Sequence, residues 1–158
     1  MLNELIELSS GFQSSVNISY DLKNDEKIQS FIPTTSSLEL ISNILMSVHP
    51  ESTQRAKILT GAYGRGKSHI ILVALSMLYR SGKKKIFTNL LNRMKAYDED
   101  LYKIANNHLQ SKTKLLPVII NGSNTSLSQA FLLALQRTLA ENELHSGGGL
   151  TMDKAIGT

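Results

Sequence analysis

The chain has no cysteine and no tryptophan, and aromatic residues fill only 6% of its 158 positions. Without cysteine there is no disulfide framework, no cysteine-based zinc site and no thiol nucleophile, which suits a reducing compartment; a cytoplasmic location is expected. Long hydrophobic runs are missing as well. The longest, residues 70–78, is broken by Ser76 and is about half of what spans a bilayer. The first eight residues carry Glu4 and Glu7 with no basic flank, so neither a signal peptide nor a membrane span is expected. His49, His108 and His145 lie too far apart to suggest a metal site or a catalytic triad, and they are assigned to the surface. What is there, 41% hydrophobic and 19% charged residues, describes an ordinary globular chain long enough for one sizeable core.

The net charge of +4 hides an asymmetry. Residues 1–54 hold two basic and seven acidic side chains, a net −5; residues 55–114 hold thirteen and three, a net +10; residues 115–158 hold two and three, a net −1. A basic middle third suits nucleic acid, a phosphorylated ligand or the acidic first third of the same chain, and charge alone does not choose among them.

Hydrophobic patterning divides the chain into an N-terminal arm (1–30), a core (31–144) and a flexible tail (145–158) containing the glycine run 147–149. In the arm, Val16, Ile18 and Tyr20 alternate with polar residues as in a short strand, and residues 21–27 form a charged turn. Ser36 and Glu39 have the spacing of a capping box, opening a helix whose Leu38, Ile41, Leu45 and Val48 share a face, with Ile44 beside them, and which closes at His49-Pro50. Residues 56–60 (Ala-Lys-Ile-Leu-Thr) predict a buried strand. A glycine-rich loop follows, then a helix from Lys67 to Tyr79, apolar nearly all round as if packed on a sheet, ended by Ser81-Gly82. Lys83, Lys84 and Lys85 make a basic turn. Helices are predicted over 85–94 and 99–109, a second buried strand over 115–121 with an exit loop at 122–125, and a last helix capped by Ser126 and Gln129. Its Leu127, Ala130, Phe131, Ala134, Leu135 and Leu139 share a face.

Gly61-Ala62-Tyr63-Gly64-Arg65-Gly66-Lys67-Ser68 matches G-x-x-x-x-G-K-[ST] at every fixed position. Average residue usage puts a chance match in such a chain on the order of one in a hundred. A predicted strand before and a predicted helix after supply the context that the motif requires. Glycines 61, 64 and 66 let the backbone curl so that N–H groups from Gly64 to His69 converge on a phosphate. Lys67 is expected to meet the β- and γ-phosphates of a nucleoside triphosphate, and the Ser68 hydroxyl to take one position on Mg²⁺. The candidate cofactor-binding residues for ATP are therefore Gly61, Gly64, Arg65, Gly66, Lys67, Ser68 and His69, with Ser68 the metal-facing one. Arg65 is set between a phosphate contact and a solvated loop position, and His69, in the first helical turn, has a structural explanation too. Asn121 and Asn124, at the exit of the second strand, are either ligand contacts or turn residues. No catalytic residue is identified: the second strand ends in Asn121, where hydrolysis calls for a carboxylate.

The segment Phe31-Ile32-Pro33-Thr34, the helix after it, and Ala56 through Gly-Ala-Tyr-Gly-Arg-Gly-Lys-Ser-His (61–69) resemble the N-terminal nucleotide-binding region of large bacterial AAA-type P-loop ATPases, including those of BREX and Pgl phage-defence islands. The resemblance covers roughly residues 12–144 in layout, with residues 61–69 its specific part. It implies an α/β fold, a parallel sheet flanked by helices and cut short before the acidic metal-binding strand. It further implies that the chain is the N-terminal piece of a longer ATPase acting on nucleic acid or protein in antiviral defence, with DNA or other defence proteins as partners and an oligomer as an option. It also implies that residues 31–34 wall the adenine pocket. Two other readings stay open: a nucleotide-binding module without turnover of its own, and a P-loop kinase.

Overall fold

A computed structural model describes residues 15–79, 84–111, 115–122 and 125–142. The helix stop at Ser81-Gly82, Lys83 of the basic turn, Asn124, His145, the first fourteen residues of the arm and the glycine run of the tail lie outside them. The chain divides into two units, the first ending at Leu115 and the second starting at Leu116.

The described elements are helical throughout: α1 (Ile18–Asp21), α2 (Asp25–Gln29), α3 (Thr35–Ser47), α4 (Lys67–Tyr79), a 3-10 turn (Lys84–Phe87), α5 (Thr88–Tyr97), α6 (Glu99–Gln110) and α7 (Leu127–Glu141). No β-strand occurs among the described residues, which corrects the expected α/β P-loop sheet. The physical reason lies in pairing. A strand needs a neighbour to take its backbone N–H and C=O groups, and among the described residues neither 56–60 nor 115–121 is paired as a strand. Ile58, expected in a buried strand, is 91% exposed. A short apolar run bounded by glycine carries no information about whether a partner strand exists.

The arm also differs from its expected form. Asn17 and Asn24 cap two short helices, their side chains accepting from Ser19 N–H at 3.1 Å and Lys27 N–H at 3.2 Å. Helices of one turn are too short to display a 3.6-residue period, so the alternation at 16, 18 and 20 imitates a strand. Residues 21–27, expected as a charged turn, instead bury Asp21, Leu22 and Lys27.

The N-cap of α3 lies two residues earlier than predicted. Thr34 is the N-cap: its Oγ1 accepts from Ser37 N–H at 3.3 Å, and Ser37 Oγ accepts from Thr34 N–H at 2.8 Å. Leu38, Ile41 and Leu45 are buried on one face as their spacing predicts, while Val48 is exposed beyond the last turn. Helix α4 runs over the predicted residues. Its all-round apolarity demands cover on several sides, and helices provide it: α1, α2, α3 and α6 all touch α4. Val73, Ala74, Met77 and Leu78 of α4 thus join Ile41, Leu91, Met94, Ala105 and Leu109 in one core. Helices α5 and α6 sit close to their predicted ranges and pack on each other. The Leu78 carbonyl, at the end of α4, accepts from Leu115 N–H at 3.2 Å and stands 3.3 Å from His108 Nε2. His108 is half-buried there rather than a free surface residue.

In the second unit, Ser126 caps α7 as predicted, its side chain accepting from Gln129 N–H at 3.3 Å. Of the predicted face, Ala134 is buried and Ala130, Leu135 and Leu139 are half-buried, while Leu127 and Phe131 are exposed. Among the described residues, no helix is long and apolar enough to cross a membrane.

Candidate functional site

The glycine-rich loop passes directly into the first turn of α4. Gly64 and Gly66 have φ of 76° and 73°, a left-handed conformation that L side chains adopt only at a cost. A Cβ at either position would meet no atom within 4 Å. Glycine is therefore required there by backbone conformation and not by crowding. Two left-handed residues on either side of Arg65 curl the chain into the type of bend that gathers successive N–H groups around an anion.

The first bond of the α4 ladder runs from Ile70 N–H to the Gly66 carbonyl at 3.0 Å, so the N–H groups of Gly66, Lys67, Ser68 and His69 precede it. They lie at the positive end of the helix. Lys67 folds back over the loop: its Nζ donates to the Gly61 carbonyl at 2.8 Å and to the Ala62 carbonyl at 2.5 Å. The side chain thereby closes the loop on itself and holds a positive charge beside the exposed glycines. Ser68, the second residue of α4, is exposed. Its hydroxyl is open to a ligand.

Loop residues and the segment before α3 share a cavity of about 290 Å³, lined among others by Phe31, Ile32, Thr34, Arg65, Gly66 and His69. That brings Phe31, Ile32 and Thr34 beside the loop. His69 turns inward: its Nε2 lies 2.6 Å from the Lys27 carbonyl. A carbonyl only accepts, so Nε2 carries the proton. The Phe31 and His69 rings meet edge to face, with centroids 5.1 Å apart and planes at 73°, a preferred aromatic arrangement.

The loop site thus assembles Gly61, Gly64, Arg65, Gly66, Lys67, Ser68 and His69 in one place, while Asn121 is exposed in the second unit. The wall made by Val16, Lys27 and Ser30 has no sequence signal in its own right. The nearest hint is the pair of capping asparagines, Asn17 and Asn24. For Mg²⁺, no group of three or more His, Asp or Glu side chains is gathered among the described residues. The Ser68 hydroxyl is the donor at hand, and it suits an ion that takes its other ligands from phosphate oxygens and water.

The chain matches no family model, no curated protein and no solved structure. The chemistry of the site accordingly rests on its own residues.

Proposed function

We propose that the chain binds a nucleoside triphosphate, with ATP as the nucleotide and Mg²⁺ as the accompanying ion. The observation that carries this is Lys67, whose ammonium is held on the Gly61 and Ala62 carbonyls across a loop that leads into the N-terminus of α4. Four unladdered N–H groups, the helix dipole and one ammonium meet there, the combination that recognises a polyphosphate. Ser68 would supply a hydroxyl to Mg²⁺, and the bound ion would offset phosphate charge. The cavity beside the loop is at the small end of ligand pockets, which run from about 300 Å³ upward. It suits a flat ring system, with Phe31 as an aromatic face and the 82% exposed Ile32 at its lip.

The proposal is one of binding, since the residues lining the cavity include no carboxylate to hold the metal's waters or activate a nucleophile. Isothermal titration with Mg²⁺-ATP tests it. Lys67→Ala should weaken binding more than about tenfold, as expected from losing a charge-assisted contact of about 1.5–3 kcal/mol, with an unchanged far-ultraviolet spectrum. An unchanged affinity in Lys67→Ala would refute the assignment.

A further inference from the structure

Resting on that proposed phosphate site, we infer that His69 is the positioning residue that joins it to the nucleobase wall and so gives the chain its preference for a nucleotide over a bare polyphosphate. His69 is the third residue of α4, so its backbone N–H belongs to the unladdered first turn while its side chain leaves in another direction. The ring reaches 42 residues back along the chain, donating to the Lys27 carbonyl at 2.6 Å. That carbonyl sits within a local hydrogen-bond network. Ser30 Oγ also donates to it at 3.1 Å, and the Lys27 ammonium is pinned by the buried Asp21 carboxylate and the Ser15 carbonyl. A ring fixed at Nε2 has one remaining freedom, and the edge-to-face contact with Phe31 removes it. Phe31 is in turn held at a defined angle to the His69 ring, and both residues line the cavity.

The consequence is a division of labour within one residue. The backbone of His69 serves the polyphosphate, and the side chain orients the aromatic wall against which a base packs. Because both belong to the first turn of α4, phosphate seating and base seating are set in a common frame. The flat, half-buried wall and the exposed Ile32 at its lip have nothing to offer inorganic phosphate. They fit a purine or pyrimidine ring, whose burial against an aromatic face adds affinity.

The test compares two probes, Mg²⁺-ATP and Mg²⁺-tripolyphosphate, by calorimetry on the full chain. The parent chain is expected to bind ATP at least tenfold more tightly than tripolyphosphate. His69→Ala keeps the backbone N–H, and it should weaken ATP about tenfold or more and tripolyphosphate less than threefold, closing the gap between them. His69→Gln, whose amide can still donate to the Lys27 carbonyl, should recover part of the ATP preference, and Phe31→Leu should lose it while keeping apolar bulk. The ratio of the two affinities is measured on the same folded molecules, so a loss of stability in one variant does not mimic the effect. Equal losses for both probes in His69→Ala, or an ATP preference intact in His69→Ala, would overturn the role of His69 while leaving the phosphate site standing. Failure of the parent chain to bind tripolyphosphate would instead remove the phosphate site, and this inference with it.

Discussion

The Lys27 ammonium donates to the Asp21 carboxylate at 2.5 Å, with 7% and 12% of the two side chains left exposed. The same carboxylate oxygen accepts from Asn17 N–H at 2.8 Å, and the same ammonium donates to the Ser15 carbonyl at 3.0 Å. The pair therefore ties the two N-terminal helices to each other underneath the cavity wall. Removing one partner strands the other, which costs about 3–5 kcal/mol in a buried pair. Lys27→Met should lower the urea midpoint by a corresponding amount, and Lys27→Met combined with Asp21→Leu should regain much of it. A single variant as stable as the parent would show that the pair contributes nothing.

Thr34 and Ser37 satisfy each other's backbone N–H groups at the start of α3. Replacing Thr34 by alanine should cost about 1 kcal/mol, and Ser37→Ala a similar amount, with the double variant costing less than both losses combined. Ser36, the cap expected from sequence, is exposed within the first turn, and Ser36→Ala should change stability by less than about 0.5 kcal/mol. Chemical denaturation of the four proteins distinguishes the two caps. A large effect at Ser36 would restore the sequence assignment.

At Gly64 the space around a new Cβ is empty but the backbone φ is 76°. Gly64→Ala should therefore destabilise by about 1–2 kcal/mol through conformation alone. Gly122 offers the contrast. It too has open space around a Cβ but has no positive φ, so Gly122→Ala should be neutral or slightly stabilising. Thermal unfolding of both variants checks the pair, and equal effects at the two positions would contradict the loop geometry.

Leu109 is fully buried in the core and Ile58 is 91% exposed. Leu109→Ala should cost about 2–5 kcal/mol. Ile58→Ala, by contrast, should stay within about 0.5 kcal/mol of the parent. A buried strand at residues 56–60 would require the reverse for Ile58, and a loss there comparable to that at Leu109 would contradict the exposed placement of this segment.

Helices with strong local signatures are legible in the sequence. Helix α4 follows its apolar run, α6 its polar start at residue 99, and α7 its Ser126 cap. Each is written in residues within a few positions of one another. The loop is legible for the same reason, since Gly61, Gly64, Gly66, Lys67 and Ser68 act through backbone geometry that adjoining residues set. The strand expectation fails because pairing is a long-range property. Ala56-Lys57-Ile58-Leu59-Thr60 and Leu115-Leu116-Pro117-Val118 have strand composition, yet composition does not supply a partner.

By itself the sequence determined the helical segments of the core, the left-handed glycines and the position of Lys67 and Ser68 at a helix start, all consequences of local sterics and local hydrogen bonding. Only the tertiary structure decided that α4 is covered by helices, that Lys27 and Asp21 are buried together, and that Phe31 and His69 meet across 38 residues of chain. Those relations depend on which surfaces exclude water from one another. No residue carries that information alone, because burial is a property of the assembled fold.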